Sequence, residues 1–354
     1  MASQRIQYID LAKGLCILLV VLFHVFQHVH FVPEFIRSLS CFRMPLYFFL
    51  SGLFFKEYEG FLGFFLRKVN KLLIPFAFFY LVTSFALSNL LHYVFGYTVL
   101  FKVSLGISGL WAFITQEKFA NDPIWFLWVL FLVNIYFYII LKLVKTVTHN
   151  SHNTKNPKYT PIIISVVCFI VGIIGSVVLS RKVNLLAFLD SAMSALPFFA
   201  AGYLFNKYSN ILEPNKWDKY LPVIIIVLFA ITFAFGGHCS YRVNSFSINP
   251  FWQYVCGMTG TLGIIFIAKV INHVPFVTYW GRYSIMILVT HSLLLKVITP
   301  PILKAHLPMS ITVMLVLAIL MFSYQLLIPL MKKYLPYVTA QKDVIDVAKY
   351  VQKK

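Results

Sequence analysis

Ten apolar runs follow one another along the chain, at roughly 11–29, 38–55, 72–93, 124–143, 161–179, 185–204, 221–236, 251–270, 283–303 and 310–331. A run of about 20 such residues crosses the ~30 Å hydrocarbon core of a bilayer as a helix, and a helix satisfies its own backbone where no water can. The pattern therefore predicts an all-α fold, a polytopic membrane bundle of about ten transmembrane helices. Two stretches depart from it. The second run carries Pro45 and Ser51-Gly52, which predicts a local break and a close backbone approach. Within 94–121, the apolar piece from Leu100 to Ile114 is too short to span and reads as re-entrant, interfacial or an outer excursion.

The polar intervals set the topology. With the N-terminus inside, 21 of the 30 Lys and Arg fall on the cytoplasmic side, including Lys56, Lys142, Lys145, Lys207 and the 332–354 segment. The bias predicts both termini in the cytoplasm. Asn150 to Pro161, NSHNTKNPKYTP, reads as an exposed inner loop. The first run has no small-residue cleavage site and is expected to be retained as a span. Residues 1–331 are expected to form one membrane domain and 332–354 a basic cytoplasmic tail, with Val344, Ile345, Val347 and Val351 on the apolar side of a short surface helix.

Composition adds two exclusions. With 60% hydrophobic and 12% charged residues among 354, and 36 Phe, the chain has too little polar surface for a soluble domain. The formal charge of +19 is accounted for by topology-setting lysines facing anionic headgroups, so no nucleic-acid partner is expected. The five cysteines show no ligand spacing and read as small hydrophobes.

Against this apolar background a few ionisable groups stand out, since each is costly in lipid. Lys13 and His24 lie eleven residues apart, hence ~20° apart on one helix face and ~16 Å apart along the axis. Asp10, three residues before Lys13, can pair with it or cap the helix. A neutral imidazole can take a proton from a hydroxyl; packing against a neighbour and snorkelling are the structural alternatives for the pair. His28 and His30 are close enough to suggest a metal, but no carboxylate set accompanies them and none is expected. In FFLRKVNKLLIPF, the cations Arg67, Lys68 and Lys71 stand before the third run on the inner side, where they suit phosphates or simply anchor the helix.

Arg43 precedes Pro45, and Ser51 lies in the same run. Asn121 and Asp122 cap the outer end of the fourth run, with Trp125 just inside. Asp122 lies at the depth of His24 and can orient it or cap the helix, and Trp125 fits an interfacial belt equally well. Asp190 is a weaker candidate of the same kind. Ser284 and His291, two turns apart, share a face that could line an internal cavity or pack against a neighbour.

Four segments, RIQYIDLAKGLCILLVVLFH, FRMPLYFFLSGLFF followed by RKVNKLLIPF, PIWFLWVLF, and GRYSIMILVTHSLLL, occur here in the order in which they occur in a known family. The chain resembles the integral-membrane acyltransferase 3 family, in particular its fucose 4-O-acetylase-like branch of surface-polysaccharide O-acetyltransferases. The resemblance implies an acetyltransferase of the bacterial inner membrane that takes acetyl-CoA from the cytoplasm and passes the acyl group to a carbohydrate hydroxyl at the outer side. It implies His24 as catalytic base and Lys13 as a required residue, with Arg67, Lys68 and Lys71, and Lys13, at the cofactor phosphates. Arg43 stands where the family often has His. Oxyanion stabilisation by Arg43, Ser51 or a backbone N–H near Gly52 would complete the reaction. Direct attack on the thioester and an acyl-histidine route are both compatible with these residues.

A transporter is the competing class. In it Lys13, His24, Asp122 and His291 form a proton or substrate pathway, with flux of an intact solute and no thioester dependence.

Overall fold

The computed structural model describes residues 6–58, 60–83, 111, 113–116, 121–150, 159–179, 185–209 and 212–351. It is an all-α polytopic membrane bundle. Among the described residues eight helical stretches are long and apolar enough to cross a membrane: Gln7–His28, Asp122–Thr148, Thr160–Leu179, Leu186–Tyr208, Asp218–Phe235, Pro250–Ile271, Ser284–Leu303 and Met309–Tyr334. The proposed excursion at 94–121 and the loop at 150–161 fall largely outside the described residues.

Two of the ten predicted spans come out differently. The second is a helix of only 14 residues, Ser40–Leu53, about 21 Å long at 1.5 Å per residue. It runs through Pro45, Ser51 and Gly52 without the predicted break. The third begins earlier than its apolar run, as Phe61–Lys68, a π-helical turn Val69–Leu73 and Ile74–Leu81. Arg67, Lys68 and Lys71 therefore lie inside a continuous helical stretch and not before it, because Phe61, Leu62, Phe64 and Phe65 already carry the apolar pattern.

The chain divides into two compact units. The first comprises Met1–Arg37, Asn70–Trp128 and Ile271–Ile345; the second comprises Ser38–Val69, Val129–Val270 and Asp346–Lys354. In the first, α1 (Gln7–His28) crosses the short helix Pro275–Arg282 at two glycines. A Cβ on Gly14 would meet the Val277 carbonyl, and a Cβ on Gly281 would meet the carbonyl of Asp10. In lipid, where apolar surface does not drive helices together, such small-residue contacts let backbones pack directly. The helices Ser284–Leu303 and Met309–Tyr334 complete the packing around α1.

The second unit uses the same device. Gly52 of Ser40–Leu53 lies against the Phe199 carbonyl and Gly202 of Leu189–Tyr208 against the Phe49 carbonyl. Beside this crossing Phe55, Phe137, Phe199 and Tyr203 form an aromatic core with ring centroids 4.7–6.0 Å apart. A two-residue hairpin, Cys239–Ser240 with Ser245–Phe246, interrupts the helices. Asn244 turns it with a positive φ of 47°. Its buried amide accepts from Ser194 Oγ at 2.7 Å and donates to the Gly175 carbonyl at 2.9 Å.

The tail is not the surface helix predicted. After Tyr334 it makes turns, and among its described residues the one helical piece is the 3-10 turn Val347–Lys349. The reason is a long-range contact. Buried Asn70, in the π-helical turn, takes the backbone groups that a helix would need: its Oδ1 accepts from Val344 N at 3.1 Å and Ile345 N at 2.9 Å, and its Nδ2 donates to Ile345 O at 2.8 Å.

Candidate functional site

α1 is unbroken from Gln7 to His28, so the spacing of Lys13 and His24 expected from sequence is kept. Its apolar stripe, Leu11, Ala12, Cys16, Ile17, Val21 and Val25, is fully buried, which leaves Lys13 and His24 half-buried beside it. Asp10 is buried in the first turn. It is not the cap, a position held by Ile6, and its carboxylate sits at the end of the helix where the macrodipole favours negative charge.

The imidazole of His24 is held on its own helix. Its Nδ1 lies 2.8 Å from the Gln27 side-chain amide, which fixes the ring by one of its two nitrogens. Gln27, one turn on, was not singled out from the sequence, although its i, i+3 spacing from His24 was visible. His28 Nδ1 donates to the His24 carbonyl at 2.9 Å. The ring of His291 lies 5.0 Å from that of His24, tilted by 47°.

His291 is fully buried on Ser284–Leu303. Its Nδ1 donates to the Ile287 carbonyl at 2.9 Å, and its Nε2 is buried without a hydrogen-bond partner. Asn121, also fully buried, immediately precedes the 3-10 turn Asp122–Ile124. Its Nδ2 donates to the Val289 carbonyl of the His291 helix at 2.7 Å, and its Oδ1 likewise has no partner. Asp122 heads the turn half-buried, and Trp125 is buried at 8% exposure, so it faces the protein and not a headgroup belt. Ser284 opens the His291 helix, half-buried. Among the described residues no three His, Cys, Asp or Glu side chains gather as a metal site.

Lys71 completes the first unit's share of the predicted site, and its surroundings were not foreseen. Its ammonium donates to the Ala340 carbonyl at 3.0 Å and pairs with Asp343 at 2.8 Å. The π-helical turn that carries it is a geometry often found at functional positions.

The remaining positions belong to the second unit. Arg67 stacks over Tyr58 with 4.6 Å to the ring centroid, and the Lys68 ammonium lies 5.5 Å from the Phe64 centroid. Arg43 and Asp190 are buried, and Ser51 accepts from Asn134 Nδ2 at 3.3 Å. Nearby, Glu57 pairs with Lys142 at 3.3 Å and with Lys145. Partial burial pushes the Glu57 carboxyl up, but the two ammoniums more than offset it and hold it below the ordinary carboxylate value.

A family model described as an acyltransferase domain matches residues 6–328, more than nine-tenths of the chain. The chain belongs to the acyltransferase 3 family. No curated protein and no solved structure matches it. In this acyltransferase 3 protein every position singled out above falls inside the matched range, whereas the tail that Asn70 and Lys71 hold lies beyond it. The acyltransferase is thus a membrane enzyme whose first helix presents an oriented imidazole next to a second, buried one.

Proposed function

We propose that this protein is a membrane O-acyltransferase, by default an O-acetyltransferase, that moves the acyl group of a cytoplasmic acyl-CoA to a hydroxyl of a cell-surface sugar or polysaccharide precursor. It works in the bacterial inner membrane with both termini in the cytoplasm, in the manner of the fucose 4-O-acetylase-like branch. The observation that carries the reading is the close approach of two imidazoles in an apolar bundle, His24 on the first helix, with Nδ1 engaged by Gln27, and His291 with its ring 5.0 Å away. His24 Nε2 takes the proton of the acceptor hydroxyl as its oxygen attacks the thioester carbonyl. Collapse of the tetrahedral adduct breaks the C–S bond, and the departing thiolate recovers the proton from His24. Within the first unit Lys13, with Asp10 beside it in sequence, and Lys71 serve the anionic carrier. Asp122, Trp125, Ser284 and His291 line the acceptor side.

The test uses the detergent-purified full chain. His24→Ala should lower acyl transfer from acetyl-CoA by about 10²- to 10⁴-fold, while coenzyme A at 100 times its dissociation constant still stabilises the fold by about 2.7 kcal/mol. Retained turnover removes His24 from the chemistry, and absence of any stabilisation by coenzyme A in the wild type removes the thioester donor and favours a transporter.

A further inference from the structure

Among the described residues of the first unit, three buried atoms can receive hydrogen bonds and receive none: Asn121 Oδ1, His291 Nε2 and, two turns further along the His291 helix, Thr299 Oγ1. The first two belong together, because Asn121 is bonded to the helix that carries His291. Both side chains have no exposed surface. Each is fixed by a bond to the main chain of one helix, Asn121 Nδ2 to the Val289 carbonyl at 2.7 Å and His291 Nδ1 to the Ile287 carbonyl at 2.9 Å. Those bonds decide the chemistry of what is left over. A carbonyl only accepts, so His291 Nδ1 must carry the proton and its Nε2 can only accept; the Asn121 amide is oriented with its oxygen away from the helix carbonyl. An unpaired buried acceptor carries a desolvation penalty, and folded proteins keep few of them without a functional reason. What satisfies both is a molecule rich in donors. The ring of His291 is also 5.0 Å from His24.

The geometry points to a hydroxyl-recognition subsite in which Asn121 Oδ1 and His291 Nε2 accept hydrogen bonds from hydroxyls of a polyhydroxylated ring while another hydroxyl of that ring meets His24. This rests on the acyl-transfer reading above and adds to it the part of the acceptor that is recognised. The two atoms select for hydroxyls next to the one acylated. A simple alcohol leaves them unpaired and is a poor substrate. The two residues bind and orient; the proton is moved by His24.

The test offers the purified full chain acetyl-CoA and a panel of methyl hexopyranosides with their monodeoxy counterparts, reading transfer by mass. For the wild type, removing one particular hydroxyl should lower kcat/KM by about 10- to 100-fold. Asn121→Ala and His291→Phe should each abolish that penalty at one ring position, leave it at the others, and leave thermal stabilisation by coenzyme A unchanged; Asn121→Asp, which keeps an acceptor oxygen, should retain it. Should one variant fail to fold, the other carries the comparison. The assignment is overturned if both variants keep the full penalty, if they slow all acceptors equally, or if they weaken coenzyme A binding, which would give these atoms to the donor. If the wild type acylates no glycoside, the same panel is run as a thermal-shift series, and no stabilisation by any glycoside overturns the subsite. Lack of stabilisation by coenzyme A would instead overturn the acyl-transfer reading.

Discussion

Replacing Asn70 by alanine should free the C-terminal segment without unfolding the bundle. Asn70 is fully buried and makes three hydrogen bonds to Val344 and Ile345, at 2.8, 2.9 and 3.1 Å. At a net ~0.5–1.5 kcal/mol each, they contribute about 1.5–4.5 kcal/mol to holding the tail down. Apart from this clamp, the segment has little burial of its own; Thr339 and Val347 are its main buried side chains. The alanine variant therefore relaxes by local detachment, and the tail amides regain water, so the global transition should move little. The assay is amide hydrogen exchange. Protection at residues 340–346 should fall by roughly 10-fold or more, since ~1.4 kcal/mol is a factor of ten, while helix Met309–Tyr334 keeps its protection. Asn70→Asp retains the oxygen that accepts from Val344 and Ile345 and should fall between. Unchanged exchange at 340–346, or equal loss across the whole bundle, would refute the clamp.

Three further outcomes can be checked. Gly281→Ala places a methyl against the Asp10 carbonyl, both partners being backbone, and should destabilise by about 1–3 kcal/mol in thermal unfolding; no shift would mean the two helices are not in direct contact. Gln27→Leu removes one hydrogen bond to His24 and should lower kcat about 2- to 12-fold with little change in donor KM; a change confined to KM would assign Gln27 to binding. Because Glu57 is held below its ordinary value by Lys145 and Lys142, its contribution to stability is present above the unfolded carboxylate pKa and is lost as pH falls through the lower folded one. Thermal stability measured from pH 6 downward should fall less steeply in Glu57→Gln, and parallel curves would show that the pairs carry no weight.

How much of this was readable in advance divides along one line. Membrane helices are announced by their apolar length, so eight spans and the continuous Lys13–His24 helix were evident. Boundaries governed by side chains that reach back to backbone were not. The start of the third helical stretch at Phe61 was hidden because Arg67, Lys68 and Lys71 looked like a loop, and the tail looked like an amphipathic helix because nothing local marks Asn70 as its partner 274 residues away. The histidine pair was half visible: both residues stood out as polar groups in apolar runs, but their 5.0 Å approach depends on how two helices cross. Asn121 was read as a cap, the ordinary role of Asn at a helix start, and only its buried contact with Val289 distinguishes it.

The glycine crossing of α1 has a consequence for what this helix can tolerate over time. Gly14 and Gly281 seat one end of it backbone against backbone, so the rotation of everything downstream is set from that point. A single residue gained or lost between Gly14 and His24 would swing the imidazole by ~100° and shift it by 1.5 Å, carrying it off the His291 side altogether. Side chains along that stretch are open to exchange among apolar types, but their number is not, and lineages descended from this protein should vary in letters there and never in length.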